Sequence, residues 1–260
     1  MKPIVYIERP VDEPMWEHCL SAWQGFKWDG YEVRFFLPLT DNSFLAGPRA
    51  SVWVPDDVVP PLQAQVPVVG SVESTQQLFA KKTIPKPLNV PEELLPYAGR
   101  TIERLRLGDA IVRMESNKHP MFIKPADTCK LFTGGVISSP AHVAFLFAGI
   151  DTDTPVLISP EIDFVTEYRL FINRDREISS MRHYSGDPFI TPSLPVVKDM
   201  IAAYTKAPRC YALDVGVTSS GKTVVVECND FWSLGTYGMD PVAYSRMLAQ
   251  RWHEMITDLT

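Results

Sequence analysis

Two carboxylates and one amide near the end of the chain have the residue types and spacing of a cation site. Asp214 lies in one alternating polar–apolar run, Glu227 lies in the next such run, and Asn229 follows it. Ser220-Gly221 separates the two runs, and such a dipeptide is typical of a tight turn. A two-residue turn places Asp214 directly opposite Glu227, with Asn229 pointing the same way.

The negative charges of this carboxylate pair need a compensating positive charge. The two Cβ atoms would be about 4.5–5.5 Å apart, a distance at which like charges destabilise a strand pair. Asp, Glu and Asn offer hard oxygen ligands, which magnesium accepts together with water and substrate phosphates. The alternative is a solvent-exposed face on which both carboxylates stay hydrated, and a register slip of one residue would move Asp214 to the other face. The predicted other face is apolar and consists of Leu213, Val215, Val217, Val224, Val226 and Cys228.

Two lysines and a glycine pair have the character of a phosphate site. Lys124 ends an apolar run, and Lys130 and Gly134-Gly135 follow after a short polar connection. Ammonium groups supply point charges for phosphate, and glycine lets backbone N–H groups approach an anion without an intervening Cβ. The alternative for each is ordinary: a solvated lysine at a strand end and a common Gly-Gly hairpin.

Arg169 is the third basic candidate. Alternation over residues 162–172 places Asp163, Glu167 and Arg169 on one face. The guanidinium can fork onto a phosphate or a neighbouring carboxylate. The alternative is a solvated surface pair between Arg169 and Glu167, which would contribute about 0–1 kcal/mol.

The elements that position these residues divide the chain into two halves of different character. The sequence pattern of the first half predicts a small α/β unit with a parallel sheet. Its predicted strands are 4–7, 31–37, 53–54 and 66–69, with a helix at 16–23. A proline-rich linker follows, and then a helix over 100–110 whose basic face carries Arg100, Arg104 and Arg106.

The second half predicts an α+β domain with an antiparallel sheet, because several of its strands are joined by hairpin-sized connections. The predicted strands are 121–125, 131–137, 156–159, 162–172, 177–184, 210–217 and 222–228, and the predicted helices are 141–148, 196–204 and 241–256. The predicted organisation is a small α/β domain over 1–83, a linker and helix over 84–120, and a nucleotide-binding and catalytic domain over 121–260.

The order of these segments resembles the ATP-grasp superfamily, and most closely its clade marked by one Arg and two Lys. The matching segments are FIKPADTCKLFTGG, TEYRLFI and ALDVGVTSSGKTVVVECND, extending into FWSLGTYGMD. The resemblance is specific over 122–240. It is loose over the first domain, which would match the small Rossmann-like domain that precedes the grasp in that superfamily.

The resemblance implies roles for individual residues. Lys124 and Lys130 resemble the two lysines over the ATP phosphates, with Gly134 and Gly135 in the loop that covers them. Arg169 resembles the arginine of the clade, placed on the phosphates or on a phosphorylated intermediate, and it is a catalytic candidate together with Lys130. Asp214, Glu227 and Asn229 resemble magnesium ligands. The connector near Ile158 should hold adenine, and Glu161 is the candidate for the ribose.

The resemblance also implies an activity: an ATP- and Mg²⁺-dependent carboxylate–amine ligase that acts through an acylphosphate on a small-molecule or peptide substrate. Such chemistry needs positioning and charge neutralisation more than a nucleophilic triad. The alternatives are an ATP-dependent phosphotransferase and a non-catalytic nucleotide-binding regulatory protein. Trp232 and Tyr237 are candidates to line the acceptor pocket, and His183 is a candidate substrate contact.

Composition excludes several other classes. The net charge of −6 over 260 residues does not provide the basic face that duplex nucleic acid requires. No run approaches eighteen apolar residues, so no membrane span is expected. The first residues reach Glu8 too early for the apolar stretch of a signal peptide, and four scattered cysteines favour reduced thiols in the cytoplasm. The sequence does not indicate an oligomeric state.

Overall fold

The computed structural model of the chain describes residues 2–10, 13–36, 66–79, 86–117 and 119–258. The strand predicted at 53–54 and the domain boundary predicted at 83–84 lie outside the described residues. Within the described part, no helix is both long and apolar enough to cross a bilayer.

The first part of the chain forms a three-stranded parallel sheet. Its strands are β1 (Ile4–Glu8), β2 (Glu32–Phe36) and β3 (Val68–Val69), in the order β2-β1-β3. Helix α1 (Glu17–Trp28) connects β1 to β2, and α2 (Val72–Phe79) follows β3. The predicted strand–helix–strand unit is therefore present, and α2 was not predicted.

The linker region differs from its prediction. Residues Glu92–Tyr97 form a 3-10 helix that contains Pro96. The helix predicted over 100–110 is wrong in its first half, because strand β4 (Glu103–Arg106) precedes helix α3 (Leu107–Asn117). β4 is an edge strand, and its arginines pair with acidic loop residues, Arg104 with Asp127 and Arg106 with Asp153. Such charges protect an exposed sheet edge from further pairing.

A small antiparallel sheet follows, in the order β4-β7-β5-β6. Its other strands are β5 (Met121–Pro125), β6 (Gly135–Ile137) and β7 (Pro155–Pro160), and α4 (Pro140–Leu146) follows β6. The strand predicted at 131–137 is present only in its last three residues. The preceding residues form the connection from β5, in which Lys130 has a left-handed backbone with φ 54°.

The larger antiparallel sheet has the order β11-β10-β8-β9. Its strands are β8 (Phe164–Ile172), β9 (Ile178–Gly186), β10 (Tyr211–Thr218) and β11 (Thr223–Asp230). One face packs against α5 (Leu194–Ala203) and the 3-10 helix through a buried apolar cluster that includes Leu170, Val197 and Leu213. The opposite face carries the predicted site residues at one end.

The first sheet and the larger sheet share one core. Val5 and Phe26 from the first part of the chain pack in the same buried cluster as Phe171 and Ala212 from the larger sheet. Helix α6 (Pro241–Asp258) joins them by packing against α1. The two helices lie close together at Gly25, where an added Cβ would lie 2.0 Å from the carbonyl oxygen of Pro241.

Gly25→Ala should therefore destabilise the protein, although alanine normally favours a helix over glycine by about 1 kcal/mol. The added methyl group forces α1 and α6 apart, and overpacking of this kind costs about 1–3 kcal/mol. Gly108→Ala in α3 is the control, because its added Cβ would lie 3.4 Å from its nearest neighbour, an ordinary contact. Urea unfolding of both variants measures the difference, and equal stability would contradict this packing.

Candidate active site

The predicted pairing of Asp214 with Glu227 is present, but it arises in a different way from the predicted one. Near the turn, Val217 pairs with Thr223, one residue out of the predicted register. The loop is one residue longer than expected, since the Thr218 N–H donates to the carbonyl of Lys222 at 2.9 Å. A β-bulge at Val226 then restores the register before Glu227.

Because of this bulge, the apolar face contains different valines from those that were predicted. Val225, not Val224 or Val226, belongs to the buried cluster that contains Leu213 and Val215, although Val224 is also buried. Val226 instead lines a cleft together with Glu227. The extra residue thus moves each side chain between the turn and Glu227 to the opposite face of the sheet from the predicted one.

Arg100 satisfies the carbonyls at the bulge. Its guanidinium donates to the carbonyls of Val225 at 3.0 Å and Val226 at 2.9 Å, and also to that of Ala98 at 3.0 Å. Burial lowers the pKa of Arg100, and the nearby charge of Glu227 opposes that shift. The prediction of a basic helix face missed this role, because the contact joins residues far apart in sequence.

Asp214 and Arg169 form a buried, two-pronged ion pair. Nε and Nη2 of Arg169 donate to Oδ1 and Oδ2 of Asp214 at 2.8 and 2.6 Å. Burial raises the pKa of Asp214 to about 6, against the opposing effect of Arg169. The alternative pair between Arg169 and Glu167 is not formed, because Glu167 accepts a hydrogen bond from the hydroxyl of Tyr184 instead.

Glu227 is compensated separately, by Lys124. Nζ of Lys124 lies 2.5 Å from Oε2 of Glu227. Burial alone would raise the pKa of Glu227, but the charge and hydrogen bond of Lys124, with help from Asn229, lower it below its ordinary value. With Asp214 only 2% exposed, the alternative of a hydrated carboxylate face is also wrong.

Asn229 connects the two carboxylates. Its Nδ2 donates to Oδ2 of Asp214 and to Oε1 of Glu227, both at 3.0 Å. One oxygen of each carboxylate therefore faces the Asn229 amide nitrogen, and a half-turn of that amide would present its oxygen to the same space. This donor set fits Mg²⁺.

Protein side chains alone would not complete the coordination shell of a cation at this site. Among the described residues, no group of three or more His, Cys, Asp or Glu side chains could hold a metal. A cation held by two carboxylates and an amide would need further oxygens from water or phosphate, as magnesium commonly has.

A cleft opens beside Lys124 and Glu227, between the two antiparallel sheets. Its lining is mainly apolar and consists of Asn89, Val90, Ile102, Phe122, Lys124, Leu157, Ile158, Ser159, Val226 and Glu227. The predicted connector residue Ile158 thus reaches the cleft. Glu161, the ribose candidate, is exposed just beyond β7 and is not among the lining residues.

Lys130 lies away from the other site residues, whereas Gly134 packs against one of them, Lys124. Nζ of Lys130 lies 3.7 Å from Glu73 on α2, so the structure does not join Lys130 to the Lys124–Glu227 pair. An added Cβ at Gly134 would lie 3.0 Å from the Phe122 ring and 3.1 Å from Cβ of Lys124, so close packing favours glycine there. Gly135 has room for a Cβ, at 3.8 Å from the nearest atom.

The two aromatic candidates, Trp232 and Tyr237, lie in different parts of the structure. Trp232 is buried in a core cluster beneath the first sheet. Tyr237 is 48% exposed, and its ring centroid lies 5.0 Å from the guanidinium carbon of Arg169. His183 packs edge-on against Tyr168, whose side chain belongs to the core on the α5 side of the sheet. Tyr237 is thus the one of these three that lies beside the site.

Arg100→Met should lower the free energy of unfolding by about 1–3 kcal/mol, because it removes the donors to buried carbonyls at the bulge while retaining an aliphatic side chain. Arg104→Met is the control, since it removes an exposed pair with Asp127 that contributes about 0–1 kcal/mol. Urea unfolding measures both changes. A loss in Arg100→Met no greater than that in the control would contradict the role of Arg100.

Several solved structures share the fold of this chain. N5-carboxyaminoimidazole synthetase from Staphylococcus aureus has a similar fold, with a TM-score of 0.58 at 12% identity over 97% of this chain and 78% of that one. D-alanine–D-alanine ligase from Bacillus anthracis matches with a TM-score of 0.54 at 11% identity over 99% of each chain. D-alanyl-alanine synthetase A from Vibrio cholerae O1 biovar eltor str. N16961 matches with a TM-score of 0.55 at 12% identity, over 99% of this chain and 98% of that one.

At these identities the structural matches establish the fold. No curated protein sequence matches the chain. The family model for the ATP-grasp domain, R2K clade family 2, matches residues 97–247, which is more than half of the chain. The chain therefore belongs to family 2 of the R2K clade of ATP-grasp domains.

Proposed function

We propose that this protein is an ATP- and Mg²⁺-dependent carboxylate–amine ligase that acts through an acylphosphate. The observation that carries the proposal is the continuous polar network of Lys124, Glu227, Asn229, Asp214 and Arg169. This network borders an apolar cleft. Family membership supports ATP as the nucleotide, and a synthetase of similar fold, with a TM-score of 0.59 at 14% identity, was crystallised with ADP.

In this proposal the cleft holds adenine and the network holds the phosphates. Ile158 and the neighbouring apolar side chains contact the base, and Lys124 transfers from Glu227 to a phosphate oxygen. Lys130 and the loop at Gly134-Gly135 cover the phosphates, which requires Lys130 to leave Glu73. Glu161 reaches the ribose if the end of β7 closes over the nucleotide.

Asp214, Glu227 and Asn229 are the proposed magnesium ligands. Bound magnesium would neutralise phosphate charge and orient the terminal phosphoryl group. The ion pairs of Asp214 with Arg169 and of Glu227 with Lys124 support this assignment, because each cation favours the ionised form of its carboxylate, which is the form that binds a metal.

The proposed reaction has two steps. A substrate carboxylate oxygen forms a bond to the terminal phosphorus, and the bond between that phosphorus and the ADP oxygen breaks. An amine then attacks the acyl carbon, an amide forms, and inorganic phosphate leaves as the amine loses a proton. Arg169 stabilises the negative charge on the transferred group, with Lys130 as a second catalytic cation.

We also propose roles for the two domains, the class of substrate and the cellular compartment. Residues 121–260 would form the nucleotide-binding and catalytic domain, and residues 1–83 the preceding small domain. The substrates would be a small-molecule or peptide carboxylate and an amine. Cys19, Cys210 and Cys228 are buried free thiols, which supports a reducing compartment such as the cytoplasm.

Glu227→Gln should weaken Mg²⁺-dependent nucleotide binding at least tenfold, because it removes a charged ligand. Thermal melting with ATP, ADP and GTP, each with and without Mg²⁺, measures the effect. Saturation at about one hundred times the dissociation constant stabilises the folded state by about 2.7 kcal/mol, enough for a visible shift. The control is Glu115→Gln, which changes an exposed residue on α3.

Wild-type nucleotide affinity in Glu227→Gln would remove the metal assignment. If the unaltered protein shows no response to nucleotide at millimolar concentration, the ligase proposal fails altogether. Tight ATP binding without substrate-dependent turnover would instead favour a regulatory nucleotide-binding protein.

The products distinguish a ligase from a phosphotransferase. With ATP, a panel of carboxylates and hydroxylamine as the nucleophile, a ligase should release ADP and free phosphate and form a hydroxamate. A phosphotransferase should form ADP and a phosphorylated product without free phosphate. Reactions that omit the carboxylate measure background hydrolysis.

A further inference from the structure

Arg182 on the edge strand β9 lies directly opposite Arg169 on β8. Residues opposite each other in an antiparallel pair have their side chains on the same face, where like charges destabilise the pair. The face that carries the candidate active site therefore has a second arginine at its edge.

The two arginines differ in their partners. Arg169 is engaged by both oxygens of Asp214. Nε of Arg182 is buried from solvent, yet it has no hydrogen-bond partner among the described residues. Arginine carries only donors, and a buried donor without an acceptor is costly. An anion beside Arg182 would supply the missing acceptor and would also reduce the repulsion between the arginines.

Two tyrosines lie on the same face of the sheet as Arg169. The pairing of β8 with β9 contains a bulge at Tyr184, which lies between the partner of Glu167 and that of Tyr168. The Tyr184 hydroxyl donates to Oε2 of Glu167 at 3.0 Å. The ring of Tyr184 lies 5.6 Å from that of Tyr237, which in turn covers Arg169. Since Tyr237 is half-exposed, this aromatic pair is accessible to a ligand.

The strand order separates Arg182 from the nucleotide cleft. Glu227, which lines the cleft, is on β11 at one edge of the sheet, and Arg182 is on β9 at the other. Neighbouring strands are about 4.8 Å apart, so three spacings amount to about 14 Å. The Arg169–Asp214 pair lies between them, where the terminal phosphate would lie in the proposed function.

We propose that Arg182 binds the carboxylate of the substrate that is to be activated, with Tyr184 and Tyr237 forming the adjacent wall of that subsite. This inference rests on the proposed ligase function and deepens it. A guanidinium binds a carboxylate through two parallel hydrogen bonds, and Arg182 lies on the edge strand farthest from the strand that carries Glu227.

The test observes the Nε–H group of Arg182 directly, by ¹H–¹⁵N NMR of ¹⁵N-arginine-labelled protein. The cross-peak is assigned by its loss in Arg182→Lys. Acetate is the probe, titrated through the millimolar range with the protein alone and with the protein saturated by Mg²⁺–ADP. Inorganic phosphate is titrated in parallel, because it offers the same anionic oxygens as a nucleotide.

We expect the Arg182 cross-peak to shift saturably with acetate, both with and without Mg²⁺–ADP. Line broadening of ¹³C-acetate should show affinity reduced roughly ten- to hundredfold in Arg182→Lys, as expected for loss of a charged hydrogen-bond pair. The control is Arg174→Lys, an exposed arginine whose ion-pair partner is its neighbour Asp175, and it should bind acetate as the unaltered protein does.

Several outcomes would overturn the inference. An Arg182 cross-peak that acetate leaves unchanged contradicts it. A response to phosphate that Mg²⁺–ADP abolishes would reassign Arg182 to the nucleotide. Mg²⁺–ADP binding without an acetate response would contradict this subsite and leave the ligase proposal intact. Acetate binding at Arg182 in a protein that does not bind Mg²⁺–ADP would leave an anion site there but contradict the ligase proposal, and with it the substrate role of that site.

Discussion

Two carboxylates lie opposite each other on adjacent strands and set the main constraint on this protein: Asp214 is buried in the sheet, and Glu227 lines the cleft. Asp214 and Glu227 would repel each other unless each had a counter-charge. Arg169 serves the first and Lys124 the second, and Asn229 bridges the two. Removing one partner of a buried pair such as Arg169–Asp214 typically costs about 3–5 kcal/mol, so the site and the stability of the sheet are linked.

The surrounding elements meet this constraint from both sheets. β8 brings Arg169, while β5 in the smaller sheet brings Lys124 across the cleft. The bulge at Val226 keeps Glu227 on the correct face despite the longer turn, and Arg100 binds the carbonyls that the bulge exposes. In the proposed function, a cation and phosphates entering here would replace these ionic contacts.

The sequence predicted most of the larger sheet and the facing of Asp214 and Glu227, because alternation and a turn dipeptide are local signals. It could not predict the bulge at Val226, since one extra residue leaves no clear mark in a run of valines. It also missed Arg100 and Arg182, whose roles depend on strands paired only after folding. The apolar residues at 102 and 105 favoured a helix where Glu103–Arg106 forms an edge strand.

We propose that the compensated carboxylates form the magnesium–nucleotide site. A crystal structure with Mg²⁺ and a non-hydrolysable ATP analogue tests this proposal most directly. We expect a metal at about 2.1 Å from oxygens of Asp214 or Glu227. We also expect Lys124 to move from Glu227 to a phosphate oxygen, with the base in the cleft beside Ile158. Nucleotide bound elsewhere, with the Lys124–Glu227 pair intact and no metal on either carboxylate, would contradict it.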